Sequence, residues 1–314
     1  MTLLLQYTLI FASVLLLVAL GGCFAERSGV INIGLEGIMV IGALGGALML
    51  KFLPMSVGPL GMVLATVVVS ALFGMIFSLF LAVAAINFKA DQTITGTAMN
   101  MLATAGATVA VKAMNTSMSK GSDVSSDIAY THTKDLLLVR IGNFEFNWFM
   151  LVAAICLVIA FVVLYRTKFG LRLRACGEHP QAAASVGVDV LKMRYAGVLI
   201  SGLLGGLGGI VYITAGVSVW KFENGVAGFG FLAMAVMIFG GWHPLKIALA
   251  SLLFGFCRAL GNVYSGFDFL AAMNIPSVVY NMLPYIISLV VLAFTSKKSQ
   301  GPKAAGVPYD KGVR

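Results

Sequence analysis

Charge is what this chain has least of. Only 11% of its 314 residues are Asp, Glu, Lys or Arg, against 60% hydrophobic residues, and the mean hydropathy is +0.97. A soluble globule needs far more polar surface than that, so the composition indicates a polytopic membrane protein. Cysteine is scarce as well: Cys23, Cys156, Cys176 and Cys257 have no metal or redox spacing, and two lie within apolar runs, which reads as structural thiols. Histidine is limited to His132, His179 and His243, far apart and without carboxylates placed for metal or general-base work. No GxxxxGK[ST] occurs, so the chain has no P-loop of its own. Gly228-Phe-Gly230-Phe-Leu-Ala233 matches a dinucleotide fingerprint in letters, but it follows no strand and lies in an apolar run; close helix packing is the better reading. Catalytic residues, metal ligands and a bound cofactor are therefore not expected. Basic residues are also missing ahead of Arg27. The stretch Leu20-Gly21-Gly22-Cys23, which has the letters of a lipoprotein cleavage site, thus lacks a positive n-region and reads as part of an uncleaved first span.

What is present is a series of apolar runs. Crossing a hydrocarbon core takes about 20 mostly apolar residues, and such runs fall near 2–22, 33–52, 59–86, 92–113, 147–165, 195–219, 226–241, 245–262 and 277–295. The expected fold is an all-α helical bundle of nine spans, or ten if Phe24–Gly37, too polar for an ordinary span and too apolar for a solvated loop, adds a broken or re-entrant element. An inverted internal repeat is suggested by an echo: Gly29-Val30-x3-Gly34-x5-Val40 aligns with Gly225-Val226-x3-Gly230-x5-Val236, and the two segments enter from opposite faces.

The formal charge of +9 is concentrated in two places. The segment 166–194 holds Arg166, Lys168, Arg172, Arg174, Lys192 and Arg194 against Glu178 and Asp189, and the tail 296–314 holds Lys297, Lys298, Lys303, Lys311 and Arg314 against Asp310. The positive-inside rule places both in the cytoplasm and removes the need for a nucleic-acid partner. The stretch 114–146, with Lys120, Lys134 and Arg140 against Asp123, Asp127, Asp135 and Glu145, has no positive excess and falls outside. Nine spans put the N-terminus outside, and ten put it inside. Within the basic loop, Pro180 and Gly187 bracket a short helix, a surface on which a partner docks.

Polar residues at membrane depth mark a candidate path, because buried amides and carboxylates are expensive away from water. Asn32 and Glu36 lie one helical turn apart, and Gln92, Thr93, Thr97 and Asn100 fall on one side of the fourth span. Asn274, Asn281 and the Tyr280–Tyr285 pair are further candidates. Neutral amides and hydroxyls suit an uncharged, hydrogen-bonding solute. For each residue taken singly, helix–helix bonding or capping is the competing role.

Three motifs then resemble a known family. Glu26-Arg27-Ser28-Gly29-Val30-Ile31-Asn32-Ile33-Gly34-Leu35-Glu36-Gly37, Phe88-Lys89-Ala90-Asp91-Gln92-x-Ile94-x-Gly96-x-Ala98-x-Asn100, and Gly170-Leu-Arg172-x-Arg174-Ala175-x-Gly177-Glu178-x-Pro180-x-Ala182-Ala183-x4-Gly187 are similar to segments of ABC-importer permeases of the branched-chain amino acid, simple sugar and nucleoside class, most of all the nucleoside branch. The resemblance runs from the first span to about Phe294. It implies a plasma-membrane permease subunit importing a small polar solute, most of all nucleosides. Its partners would be an ATPase subunit that binds the ATP, a second related permease in a heterodimer, and an extracytoplasmic solute-binding lipoprotein. It also implies an ATPase-coupling role for Gly170, Arg172, Arg174, Gly177, Glu178, Pro180, Ala182, Ala183 and Gly187. His179 stands where the family commonly shows Asn. A permease for a simple sugar or branched-chain amino acid, or a self-powered secondary transporter, remains the alternative; the latter usually wants a paired ionisable relay, and Glu36 and Asp91 have no evident cationic partners within the membrane.

Overall fold

The computed structural model describes residues 2–119, 124–130, 133, 135–142, 144–215, 219–267, 276–295 and 301–310. Its helices are α1 (Thr2–Arg27), α2 (Leu35–Phe52), α3 (Gly58–Ala82, prolonged by a π turn to Asn87), α4 (Gln92–Met118), α5 (Trp148–Arg166), α6 (Lys168–Glu178), α7 (Pro180–Ser185), α8 (Val190–Thr214), α9 (Phe229–Phe239), α10 (Pro244–Val263) and α11 (Ser277–Thr295). Seven of the described helices are long and apolar enough to cross a membrane, and α11, at 19 residues, covers the last apolar run. Four short strands, β1 (Asp127–Ala129), β2 (Leu138–Ile141), β3 (Phe144–Asn147) and β4 (Val219–Lys221), pair antiparallel as β1 with β4 and β2 with β3. They cap one end of a fold that is otherwise helical.

Helix boundaries follow local chemistry more closely than hydropathy does. The Asp91 carboxylate accepts the N–H groups of Thr93 and Ile94, and Asn147 accepts that of Phe149, so α4 and α5 start at capped positions. Asp189 does the same for α8, which therefore begins five residues ahead of the apolar run read from 195 and draws Lys192 and Arg194 into the helix. The clearest departure is the run 226–241, whose helix is only the 11 residues of α9. At 1.5 Å per residue that is about 16 Å, half of a hydrocarbon core. Two glycines at positive φ, Gly225 (56°) and Gly228 (79°), hold the preceding residues out of a helix. The same happens after α1, where Gly29 (98°) breaks the chain before α2 begins at Leu35. The stretch Phe24–Gly37 is thus shared by the end of α1, an irregular segment and the first turn of α2, and it adds no further span.

Contacts fix which end each helix reaches. Arg27, Asn87, Lys89, α6, α7, Trp242 and residues 301–310 gather at one end, through Arg27 to Glu178 and to Trp242 O, Tyr195 to Asn87, and Lys89 to Asp310. Gln6, Leu50, Asn115 and the strands gather at the other, through Gln6 to Glu145, Thr133 to Leu50 O, and Asn115 to Asp127 O. Among the described residues the chain passes between the two ends nine times, with Thr2 at the strand end. Basic residues crowd the end that carries α6 and α7. At the strand end, Lys112 pairs with Glu223 and Lys221 lies 3.9 Å from Asp127.

The bundle is built inside-out for lipid. Helices α1, α2 and α8 form its centre, whereas α3 and α5 turn Leu64, Val68, Ile76, Ile155, Val158 and Ile159 outward. Glycines bring the central helices together: a Cβ on Gly206 would overlap Ser70 O, and one on Gly42 would strike the Gly206 backbone. The Ser70 hydroxyl lies 2.7 and 2.8 Å from the carbonyls of Gly42 and Gly206, pinning α3 over this crossing. Gly206→Val is therefore expected to destabilise the purified protein by about 3 kcal/mol or more through overpacking. Gly106→Val, at a position with nothing within 4 Å, should leave the thermal midpoint where it was; equal midpoints for the two variants would contradict this packing.

Candidate translocation and coupling sites

The two interrupted helices meet in the middle of the bundle. Glu36, in the first turn of α2, accepts the Gly228 N–H at Oε1 and the Gly230 N–H at Oε2, both at 2.7 Å. A carboxylate from one interrupted helix thus caps the N-terminus of the other, 192 residues away in sequence. The irregular stretch before α2 is held from α4. Gln92 Oε1 accepts the Ile31 N–H at 2.7 Å, Asn100 Oδ1 accepts the Gly37 N–H at 2.7 Å, and Asn100 Nδ2 donates to Ile33 O at 3.0 Å. Asn32 Nδ2 donates to Ser201 Oγ of α8 at 2.9 Å. Lipid supplies no hydrogen bonds, so a non-helical segment at this depth persists only if side chains satisfy it.

Four of the six path residues named from sequence, Asn32, Glu36, Gln92 and Asn100, therefore converge on one place. Thr93 and Thr97 do not join them: both are exposed on the outer side of α4, and the Thr97 hydroxyl turns back to Thr93 O at 2.8 Å. Gln92 is buried and Asn100 largely so because α4 packs on α2 along a line that includes Gly96, where any Cβ would press on Gly34. Among the described residues, buried Asn32 Oδ1 and Gln92 Nε2 meet no partner, leaving hydrogen-bonding capacity beside the interruption. Tyr285 reaches the same neighbourhood, its hydroxyl 3.5 Å from Ala227 O. Asn274 and His132 lie outside the described residues, as does the side chain of Asn281.

At the basic end, Thr167 caps α6 through Gly170 N, and the His179 imidazole caps α7 through Ala182 N at 3.4 Å. The imidazole thus fills the acceptor role that an Asn would have. Pro180 opens α7 and Gly187, at φ 85°, lies just beyond its end. Gly170, Gly177, Pro180 and Ala183 face inward, while Leu171, Arg172, Glu178, Ala182, Val186 and Gly187 are exposed. Arg174 lies over the Tyr165 ring at 4.5 Å. The outer surface of α6–α7 thus joins two large exposed apolar side chains to a cation.

One arrangement here was invisible in the sequence. Residues 301–310, read as part of a basic cytoplasmic tail over 296–314, fold back as a strap. Ala304 N donates to Gly177 O at 2.8 Å, Gly306 N to Gly29 O at 3.2 Å, and Lys89 Nζ to Asp310 Oδ2 at 2.8 Å. Gly301 abuts Trp242, and the Tyr309 ring faces the Arg194 guanidinium at 6.0 Å. Arg194, which its charge alone assigns to the loop, is in fact 1% exposed and packed against Gly29. Arg27 joins the same end, its guanidinium bonding Trp242 O while Glu26 Oε2 accepts the Trp242 indole N–H at 2.6 Å.

A polytopic helical bundle with an irregular segment ahead of α2, a half-length α9 meeting it, and a short exposed helical elbow at its basic end fits a membrane permease. The chain belongs to the family described as branched-chain amino acid transport system / permease component, which it matches over residues 4–294. It is similar to the guanosine ABC transporter permease protein NupQ of Bacillus subtilis, with 40% identity over 311 residues, 98% of this chain and 96% of that one. It is also similar to the nucleoside ABC transporter permease proteins of Lactococcus lactis: NupC, with 38% identity over 310 residues (96% of this chain, 95% of that one), and NupB, with 25% over 318 residues (96% and 83%). The protein is an integral, multi-pass membrane subunit of the ABC-importer permease type. Among the described residues, no His, Cys, Asp and Glu cluster suited to a metal is present.

Two measurements check this geometry. Asn100→Ala removes the partners of Gly37 N and Ile33 O, and each buried polar group left unpaired costs about 1–3 kcal/mol; the thermal midpoint should fall clearly, whereas Thr97→Ala should leave it unchanged. At the strap, burial pushes the Cys176 thiol up to about 11, and Tyr309 packs beside it. In a variant with Cys176 as the single cysteine, deletion of residues 301–314 should raise its maleimide labelling at neutral pH several-fold; equal labelling would mean that the strap does not cover it.

Proposed function

We propose that this protein is one of two membrane subunits of an ABC importer for nucleosides, with ATP bound and hydrolysed by a separate cytoplasmic ATPase subunit. The observation that carries the reading is the exposed α6–α7 elbow, which offers Leu171, Arg172, Ala182 and Val186 to a docking partner in a chain without a P-loop. The excess of Lys and Arg at that end supports a cytoplasmic position for it, with the strand end outside. The nucleoside assignment rests on the two relatives at 38–40% identity, both nucleoside-type permeases by name. Similarity to both NupB and NupC of one organism supports a second, related permease as the other half of a heterodimer. A solute-binding lipoprotein at the outer face completes the assembly.

The mechanism is mechanical. ATP-driven closure of the ATPases pushes Gly170–Gly187, and with it Arg172, Arg174, Glu178 and the α7 residues Pro180, Ala182 and Ala183. The bundle rocks about its glycine-packed centre, opening and closing a path beside the α2 and α9 interruptions. Asn32 and Gln92, with their spare polar atoms, border that path, and Glu36 and Asn100 hold its walls. Thr93 and Thr97, on the exposed side of α4, fit the face turned to the second permease.

In the co-expressed complex, the double variant Arg172→Glu, Arg174→Glu should reach the membrane normally but recover several-fold less ATPase subunit on pull-down; full recovery would remove the docking role. Replacing the P-loop lysine of the ATPase subunit should abolish nucleoside uptake, and uptake that persisted would make this a self-powered carrier instead. A competition series of nucleosides, sugars and branched-chain amino acids against labelled guanosine identifies the solute class directly.

A further inference from the structure

The outer half of the bundle contains a cavity that the path described above does not use. It lies between the Thr2 end of α1, the last turns of α8 and the last turns of α10, encloses about 220 Å³, and is lined by Tyr7, Phe11, Tyr212, Trp220, Arg258 and Asn262. Behind this lining lies Phe229, the first residue of α9: Phe11 packs on it at 5.7 Å, Tyr212 at 4.5 Å, and the Arg258 guanidinium lies 5.4 Å from its ring. Trp220 stands edge-on to Tyr212 at 5.4 Å, and Arg258 donates to the Tyr212 hydroxyl. Immediately beyond Phe229 is the junction where Glu36 caps Gly228 and Gly230. The cavity lining therefore packs against the first residue of α9, next to the interruption.

Packing alone does not account for this arrangement. Arg258 is the one charge in α10 beyond its first turn, where Lys246 sits, and a cation at such depth marks a functional site by default. Aromatic side chains that merely filled the core would close the space, yet here they leave room for about seven waters. Rings on several sides favour a planar heterocycle, since base–aromatic stacking contributes about 1–3 kcal/mol per base. A guanidinium adds two parallel donors, which match the adjacent O6 and N7 acceptors of guanine and not the donor–acceptor edge of adenine. An anionic solute would need the cation but not the rings.

We propose that this cavity receives the base of the transported nucleoside on the outer side of the permease, with Arg258 reading a purine that carries a carbonyl at its six position and with Tyr212 and Trp220 as stacking walls. The proposal rests on the nucleoside reading given above, and the ligand class is 6-oxopurine nucleosides. From there the solute passes Phe229 toward the α2–α9 junction.

The test uses the assembled transporter in cells without other nucleoside uptake, and it reads the ratio of guanosine to adenosine uptake, which does not depend on expression level. Arg258→Gln exchanges a guanine-reading side chain for an adenine-reading one and should lower that ratio about tenfold or more. Should Arg258→Gln fail to reach the membrane, Trp220→Ala and Asn262→Ala, both on the open side of the cavity, take its place; each should lower guanosine uptake per transporter at saturating solute. Photo-crosslinking with 8-azidoguanosine provides an independent readout: the label should fall on peptides carrying Tyr7, Tyr212 or Trp220 and be displaced by guanosine. A wild-type ratio in Arg258→Gln, unchanged uptake in the other two variants, or displaceable label confined to other peptides would overturn the site while leaving nucleoside transport standing. Absence of any nucleoside uptake by the wild-type transporter would overturn the substrate reading and this site with it.

Discussion

A backbone that leaves its helix inside a lipid bilayer has to find every hydrogen bond within the protein, and the centre of this permease is arranged around that constraint. Two segments break at glycines with positive φ, Gly29 ahead of α2 and Gly225 and Gly228 ahead of α9. The first is satisfied by Gln92 and Asn100 from α4, and the second by Glu36 from α2. Because α2 is at once recipient and donor in this chain of support, α4, α2 and α9 form one connected unit. A shift of any of the three has to be followed or accommodated by the others. Next to this unit, Tyr212 and Arg258 of the neighbouring cavity pack on Phe229, the first residue of α9.

Glycine has a different function elsewhere in the bundle. At Gly42, Gly74, Gly202 and Gly206 the helices approach until backbone meets backbone, with Ser70 and Ser78 filling the remaining polar roles. Surfaces without side chains present few ridges to interlock, so α2, α3 and α8 are closely held and yet carry little that would obstruct small rotations. The outward faces of α3 and α5 are apolar up to Arg166 at the end of α5, in keeping with a lipid environment and with the membership of a family of integral permeases.

How much of this was legible in the sequence depends on the distance over which the signal acts. Hydropathy found every long helix, because about 20 apolar residues are a local property. It overestimated the run 226–241, since hydropathy cannot distinguish an apolar helix from an apolar segment that glycines hold unwound. The amides Gln92 and Asn100 stood out as polar residues in an apolar context, but whether they face a path or a backbone is decided by what lies opposite, 61 and 63 residues away. Thr93 and Thr97 looked equivalent to them on a helical projection and proved exposed, because the direction in which α4 packs is a tertiary fact. Arg258 could have been found as the lone cation in the body of an apolar run. Arg194 was hidden by its five basic neighbours, which made a loop the natural reading. Nothing in residues 301–310, which mix Pro, Gly and Ala with single charges, announces that they return to the bundle.

The strap joins two parts of the molecule over very little chain. Its bond to Gly177, near the end of α6, and its bond to Gly29, at the mouth of the irregular segment, originate from residues only two positions apart, Ala304 and Gly306. Two residues of fully extended polypeptide span at most about 7 Å. A drawstring that short has almost no slack, so once the elbow has travelled more than a few ångströms, either the segment at Gly29 is drawn along with it or one of the two bonds has to let go.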